Sequence, residues 1–205
     1  MGAEAAGILT AAHTDAIDLP PPLRSGGGSL RDALSLRRSS RVFASKPLPL
    51  QRLSDLLWCA FGINRPEGSG RTAPSAKNWQ EIDIYVVTAA GTSVYEPQHN
   101  RLRGVVDEDL RAATGLQDFV ASAPLNLVYV ADLDKVDAPD AEQRRFYCAA
   151  NAGSVAQNVS LFCASEGLAT VVRGLIDRRA LAPLLRLRTR QRVVLAQTVG
   201  YPSPG

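Results

Sequence analysis

Sulfur and imidazole are scarce in this chain: its 205 residues include three cysteines, two histidines and one methionine. Cys59, Cys148 and Cys163 each sit in an apolar run without Cys-x-x-Cys or Cys/His ligand spacing. That excludes a zinc framework and a disulfide scaffold, reads as buried free thiols, and favours a reducing compartment. His13 and His99 fall in an N-terminal arm and a hairpin loop, away from any serine or cysteine in a motif, so no nucleophilic triad is expected. No His, Asp or Glu pair has ligand spacing on one element, and no metal site is expected. Aromatic residues make up 6% of the chain and the formal net charge is +3, too little of either for the broad basic, stacking face that nucleic-acid binding needs. No stretch approaches the roughly 18 apolar residues of a membrane span. The start "MGAEAAGILTAA" carries neither the charged region nor the apolar core of a secretory signal, and Ala6 stands where N-myristoylation wants Ser or Thr. The expectation is a cytoplasmic protein with no membrane and no nucleic-acid partner.

What the chain does contain suits one globular domain: 45% hydrophobic and 21% charged residues, enough to bury a core without staples. Residues 1–28 end in "DLPPPLRSGGG" and are expected to form an extended arm outside the core, with residues 29–205 forming the domain. Gly26 to Gly28 is no phosphate loop, because no Gly-Lys-Ser/Thr follows. Ser29 can cap a short helix in which Leu30, Ala33, Leu34 and Leu36 share a face, closed by the cluster Arg37 to Arg41. Leu50 to Phe61 repeats apolar residues at helical spacing and stops at Gly62. Residues 63–80 are polar and rich in Gly and Pro, a long loop of the kind that tends to carry function.

Ile82 to Thr88 reads as a strand, with a hairpin return near Asn100 to Val106, and Leu125 to Ala131 as a second buried strand. A short helix from about Glu108 and a turn near Phe119 are expected between them. From Ala141 to Glu166 a proline-free helix repeats Phe146, Ala149, Ala150, Gly153, Ala156, Gln157, Ser160 and Ala164, a small-residue face suited to close approach by another helix or a second subunit. A strand "LATVVRG", a helix capped by Asp177 and a last strand "RVVLAQTVGYP" complete the order. Without GxGxxG or regular βαβ alternation, α+β fits better than a Rossmann domain.

Three polar segments could surround a phosphate-bearing cofactor, which would have to carry the hard chemistry because the chain offers few acids or bases for it. "RRSSRVF", "APSAKNWQ" and "EGLATVVRG", followed by the closing "VGYP", resemble in order and spacing the nitroreductase family of FMN-dependent oxidoreductases, in its branch near the azoline-dehydrogenase-type proteins. The resemblance covers about Leu30 to Pro202. It implies an α+β fold with a central, mostly antiparallel sheet flanked by helices, an interlocked homodimer with two FMN sites at the subunit interface, and NAD(P)H as reductant.

By the same resemblance, Arg37, Arg38 and Ser39 would hold phosphate and ribityl chain, where guanidinium forks match phosphate oxygens. Arg41 would stabilise the negative charge that collects at the pyrimidine edge on reduction. Pro74, Ser75, Ala76 and Asn78 would come from the partner subunit. Val172, Arg173 and Gly174 would pass along one ring face, with a backbone N–H toward N5. Many relatives add a Lys-x-Arg segment after the last strand that is not matched here, so either Arg37, Arg38 and a further arginine such as Arg71 suffice for the phosphate, or FMN is held loosely. Asp118 and Phe119 stand where some relatives have a lysine. The activity implied is NAD(P)H oxidation coupled to a quinone or nitroaromatic acceptor. Oxidation of a peptide azoline and flavin binding without turnover are the other readings.

Overall fold

The structure, a computed structural model, describes residues 16–203, so His13 lies outside the described residues. In chain order its main elements are β1 (Ala16–Asp18), α1 (Leu30–Leu36), α2 (Leu50–Phe61), β2 (Ile63–Arg65), β3 (Gly70–Arg71), β4 (Ile82–Thr88), β5 (Gly91–Glu96), β6 (Arg101–Val106), β7 (Leu125–Asp132), α3 (Ala141–Ser165), β8 (Ala169–Arg173), α4 (Arg178–Leu184) and β9 (Gln191–Gly200). Seven strands form one sheet in the order β1-β6-β5-β4-β7-β9-β8, and each neighbouring pair is antiparallel. This is the α+β architecture expected.

Alternation along the strands divides the core into two layers, because successive side chains of a strand point to opposite faces. Ile82, Ile84 and Val86 of β4, with Leu125, Leu127 and Tyr129 of β7, pack on one face against α2 and α3. Tyr85, Val87, Val128 and Val130 face the other way, toward Leu181 of α4 and Leu185. With both faces covered, β7 is buried along its whole length, which explains why apolar residues fill both faces of its centre, Leu127 to Ala131. At β9 the register slips between Tyr129 and Val130: Tyr129 pairs with Leu195 and Val130 with Val193, leaving Val194 as an extra residue in a β-bulge. The ends of α3 follow ordinary capping rules. Asp140 accepts from the Gln143 N–H at 2.8 Å, and Gly167, with φ of +67°, lets the chain leave α3.

Five expectations need correction. Residues 16–23 are not a detached arm: β1 pairs with β6, Leu19 joins the core, and the Pro20 carbonyl accepts from Ser54 and Asn100. The hairpin return of β4 is β5, and Arg101–Val106 is a third strand of the meander. The segment after β6 forms short 3₁₀ turns at Arg111–Thr114 and Asp118–Val120, not a helix from Glu108. On α1 only Ala33 is buried, leaving Leu30, Leu34 and Leu36 exposed. The small-residue face of α3 likewise divides, with Ala156 and Ser160 turned into the core and Phe146, Ala149, Ala150, Gly153 and Gln157 left outside.

Candidate functional site

The arginine cluster begins where α1 ends. Arg37 is the C-cap, its N–H donating to the Ala33 carbonyl, and the chain then runs along the free edge of β8. One hydrogen bond, from the Ser40 N–H to the Thr170 carbonyl at 2.9 Å, ties it there, and Phe43 bridges to Pro202 further on. The side chains of Arg37, Arg38, Ser39 and Arg41 are exposed. Among the described residues the three guanidinium groups have no carboxylate partner, whereas Arg52, Arg101, Arg111 and Arg188 each face one. Arg37 and Arg38 line a cleft of about 460 Å³ with Ser40, Ser160 and Thr170. The wall of this cleft is already satisfied internally. Gln197 accepts from the Tyr129 hydroxyl at 2.6 Å and donates to Ser160 and Thr170.

Strand geometry decides which parts of "VVRG" can meet a ligand. The Thr170 carbonyl points toward the arginine segment, so by the two-residue period the N–H groups of Val172 and Gly174 also point to the open edge. Val172 presents its side chain outward at 39% exposure, and Arg173 turns inward at 3%. The Arg173 guanidinium donates to the Thr198 hydroxyl, the Thr114 carbonyl and the Asn126 side-chain oxygen at 2.9–3.0 Å, with no carboxylate partner among the described residues. Burial without a counter-charge lowers its pKa to about 10. The Arg173 side chain is therefore a clasp between β8 and the 110–120 loop, and only its backbone lies along the edge. Gly115 makes room for it, since a Cβ there would collide with the guanidinium. Phe119 joins the same support, 5.8 Å from the Phe43 ring and 6.0 Å from Arg173. Gly174 has no such crowding: a Cβ would meet only Leu195, at 3.9 Å, so nothing within this chain requires a glycine there.

Pro74, Ser75, Ala76 and Asn78 lie elsewhere. Their loop rests on the N-terminal half of α3, where the Ala76 N–H donates to the Asn151 side-chain oxygen at 3.2 Å. The Asn151 amide in turn donates to Glu81 at 2.8 Å. Glu81 is fully buried, and its other carboxylate oxygen has no hydrogen-bond partner among the described residues. Lys77, Asn78 and Gln80 hold φ of 50°, 55° and 51°, left-handed values that cost non-glycine residues energy and persist only where surroundings enforce them. Ser75 accepting from the Gln80 N–H, and Gln80 donating to Asn78, supply that enforcement. Asn151 and Ser160, which mark the loop and the arginine cleft on α3, are nine residues apart, roughly 14 Å along a helix axis. A single chain thus brings Arg37–Arg41 and Val172–Gly174 together and leaves Pro74–Asn78 apart.

Arg71, a candidate phosphate ligand by sequence, is ruled out by position. It is 8% exposed, donates to Gln80 and the Phe61 carbonyl, and stacks on the Phe61 ring at 5.3 Å. Sequence reasoning missed Glu81 and Asn151, whose buried pair holds the loop; a glutamate opening an apolar strand was the available signal. The thiols are quiet. Burial, helped by Asp55 and Glu166, pushes Cys59 up to about 11, and burial with Glu81 beside it does the same for Cys148. No metal-binding cluster occurs among the described residues, and no helix there is long and apolar enough to cross a membrane.

Helices over both faces of a large antiparallel sheet, with unpaired arginines beside a free strand edge, define the class, and sequence comparison gives it a family. The profile of the nitroreductase family matches residues 34–201, and this chain belongs to that family. It is 32% identical over 169 residues, 78% of this chain and 85% of the other, to MJ1384 of Methanocaldococcus jannaschii, named as a nitroreductase. A Ralstonia eutropha JMP134 crystal structure, also assigned to the nitroreductases, superposes with a TM-score of 0.91 at 42% identity, covering 100% of this chain and 97% of that one. A third likeness is of fold alone: a Desulfovibrio desulfuricans structure in complex with FMN, at a TM-score of 0.63 and 21% identity, covering 87% of this chain and 89% of that one.

Proposed function

We propose that this protein is an FMN-dependent oxidoreductase that takes reducing equivalents from NAD(P)H, passes them to a small quinone or nitroaromatic acceptor, and works as a homodimer. The observation that carries this reading is the strip formed by Arg37, Arg38, Ser40 and the outward N–H groups of Val172 and Gly174: uncompensated cations at one end and free backbone donors at the other. That donor set fits a phosphate-bearing, flat, electron-accepting ring, and the space at Gly174 fits close approach by such a ring. The FMN named in the Desulfovibrio structure is consistent with the same choice.

When bound, FMN would supply the two-electron chemistry that no side chain here offers. The chain's own part is positional. Arg37, Arg38 and Ser39 would bind the phosphate and ribityl end, Arg41 would place a cation beside the electron-rich edge of the ring, and the Val172 or Gly174 N–H would donate to a ring nitrogen. Pro74, Ser75, Ala76 and Asn78 would close the site from a second copy, because their loop stands apart from the arginines in its own chain. The exposed Leu30, Leu34, Leu36 and Phe146 would be covered in the same association.

Purified protein that is yellow, releases FMN on denaturation and bleaches near about 450 nm on anaerobic addition of NADH or NADPH supports this reading. A colourless protein that cannot be loaded with FMN overturns it, and a yellow protein that no nicotinamide reduces makes it a binding module. Arg41→Ala should slow reduction more than it weakens FMN retention, read by stopped flow and by equilibrium titration.

A further inference from the structure

A second basic site lies between the first turns of α3, the N-terminus of α4 and the bulged start of β9. Here a cleft of about 540 Å³ is rimmed by Arg144, Arg145, Arg178, Arg190 and Arg192 and has no acidic residue in its lining. Its floor is apolar, made by Ala131, Leu133, Cys148, Val193 and Val194. Five arginines line it, from α3, α4, β9 and the turn before β9, so the cluster does not follow from local sequence.

Most of these arginines are held in place by neutral acceptors. Arg178 donates to the carbonyls of Val193 and of Val194, the bulge's extra residue. Arg144 donates to the Ala138 carbonyl and Arg192 to the Thr189 and Gln191 carbonyls. Arg145 has no partner among the described residues. Among the described residues only Arg190 of the five is charge-paired, with Asp134, a carboxylate already shared with Arg188. A carbonyl orients a guanidinium without neutralising it, and each arginine has five N–H donors, so unused donors and uncompensated charge remain. Bulges also recur beside binding sites, where they re-aim neighbouring groups.

We propose that this cleft binds a small organic anion: an apolar, aromatic or acyl body seated on the Val193–Val194 floor, with a carboxylate or phosphate head held by Arg144, Arg145, Arg178 and Arg192. The volume lies in the range of small-molecule pockets, roughly 300–1,000 Å³, and an apolar floor with convergent polar groups is their usual construction. Like-charged arginines held this close favour an occupant of opposite charge over a neutral one. This site is separate from the Arg37–Arg41 strip and does not depend on FMN being its ligand.

The test is calorimetric titration of the full chain with 8-anilinonaphthalene-1-sulfonate, with and without saturating FMN. We expect one saturable site that FMN does not compete for and that weakens with salt. Arg145→Glu combined with Arg192→Glu, both exposed positions, should weaken it about tenfold or more, the loss of at least one charge-assisted hydrogen bond. Arg37→Ala with Arg38→Ala should leave it unchanged. Displacement by 1-naphthoate and by 1-naphthyl phosphate then distinguishes carboxylate from phosphate as the preferred head. Equal binding of neutral N-phenyl-1-naphthylamine, competition by FMN, or unchanged affinity in the Arg145/Arg192 variant with native circular dichroism would each overturn the assignment.

Discussion

Arg37→Ala should separate cofactor affinity from folding stability almost completely. The Arg37 side chain is exposed and, among the described residues, meets no carboxylate, so its removal breaks no ion pair in the folded chain. What it does contribute to folding is a cation at the C-terminus of α1, about 0.3–1 kcal/mol at most. For a domain of this size that is a Tm change of about 1–4 °C. Against phosphate the same side chain would make charge-assisted hydrogen bonds of about 1.5–3 kcal/mol, so its loss should weaken FMN binding roughly 10- to 150-fold. Flavin-fluorescence titration of apoprotein gives the affinity, and riboflavin, which lacks the phosphate, is the control. Riboflavin binding should be nearly the same in wild type and variant. An equal loss for FMN and riboflavin, or a Tm drop well beyond 4 °C with FMN affinity retained, would refute the assignment of Arg37 to phosphate.

Gly115→Ala should cost about 1–3 kcal/mol, since the added methyl must displace the Arg173 guanidinium from a full set of buried partners; chemical denaturation measures it, and a neutral result would mean the clasp is loose. Asn151→Ala leaves Glu81 a buried carboxylate without its hydrogen bond and frees the Ala76 N–H, so a loss of about 3 kcal/mol is expected, with the Pro74–Gln80 loop becoming cleavable by protease before global unfolding. The thiols supply a pH test. Cys59 and Cys148, both held near 11, are about one part in a thousand thiolate at pH 8, so alkylation of the native protein should be slow and should accelerate roughly tenfold per pH unit up to that value. Rapid labelling at pH 7 would contradict the burial that raises them.

How much of this was legible beforehand depends on the range of the interaction. The periodicities of α2, α3, β4, β7 and β9 are written into contiguous residues, and the structure has them where the patterns lie. β1 was hidden because three residues beside a proline run carry too little pattern; its reason to exist is Arg101–Arg103 across the sheet, some 85 positions away. β5, "GTSVYE", carries little apolar pattern of its own, and it is pairing with β4 and β6 that buries its threonine and serine. Arg173 is instructive, since strict alternation along "ATVVR" already placed residues 169, 171 and 173 on one face. A motif reading that treated "VVRG" as a unit passed over that period. The arginine cleft at β9 could not be read at all, because its members are separated by up to 48 positions and only the fold collects them.

The two sides of the β8 edge are fastened unequally. On one side Arg173, itself anchored on Thr198 and Asn126, ties the 110–120 loop down through two buried hydrogen bonds to Thr114, none of the four to a carboxylate, so neither salt nor mild acid loosens it. On the other, residues 37–42 are stitched to the strand by one backbone bond, Ser40 to Thr170. Hydrogen exchange should register this as a hinge line: the Ser40 amide trades with solvent through small local excursions, and the β8 amides paired with β9 wait for much larger ones. The strip that would receive the cofactor can therefore breathe on its arginine side at little cost, while its floor stays fixed.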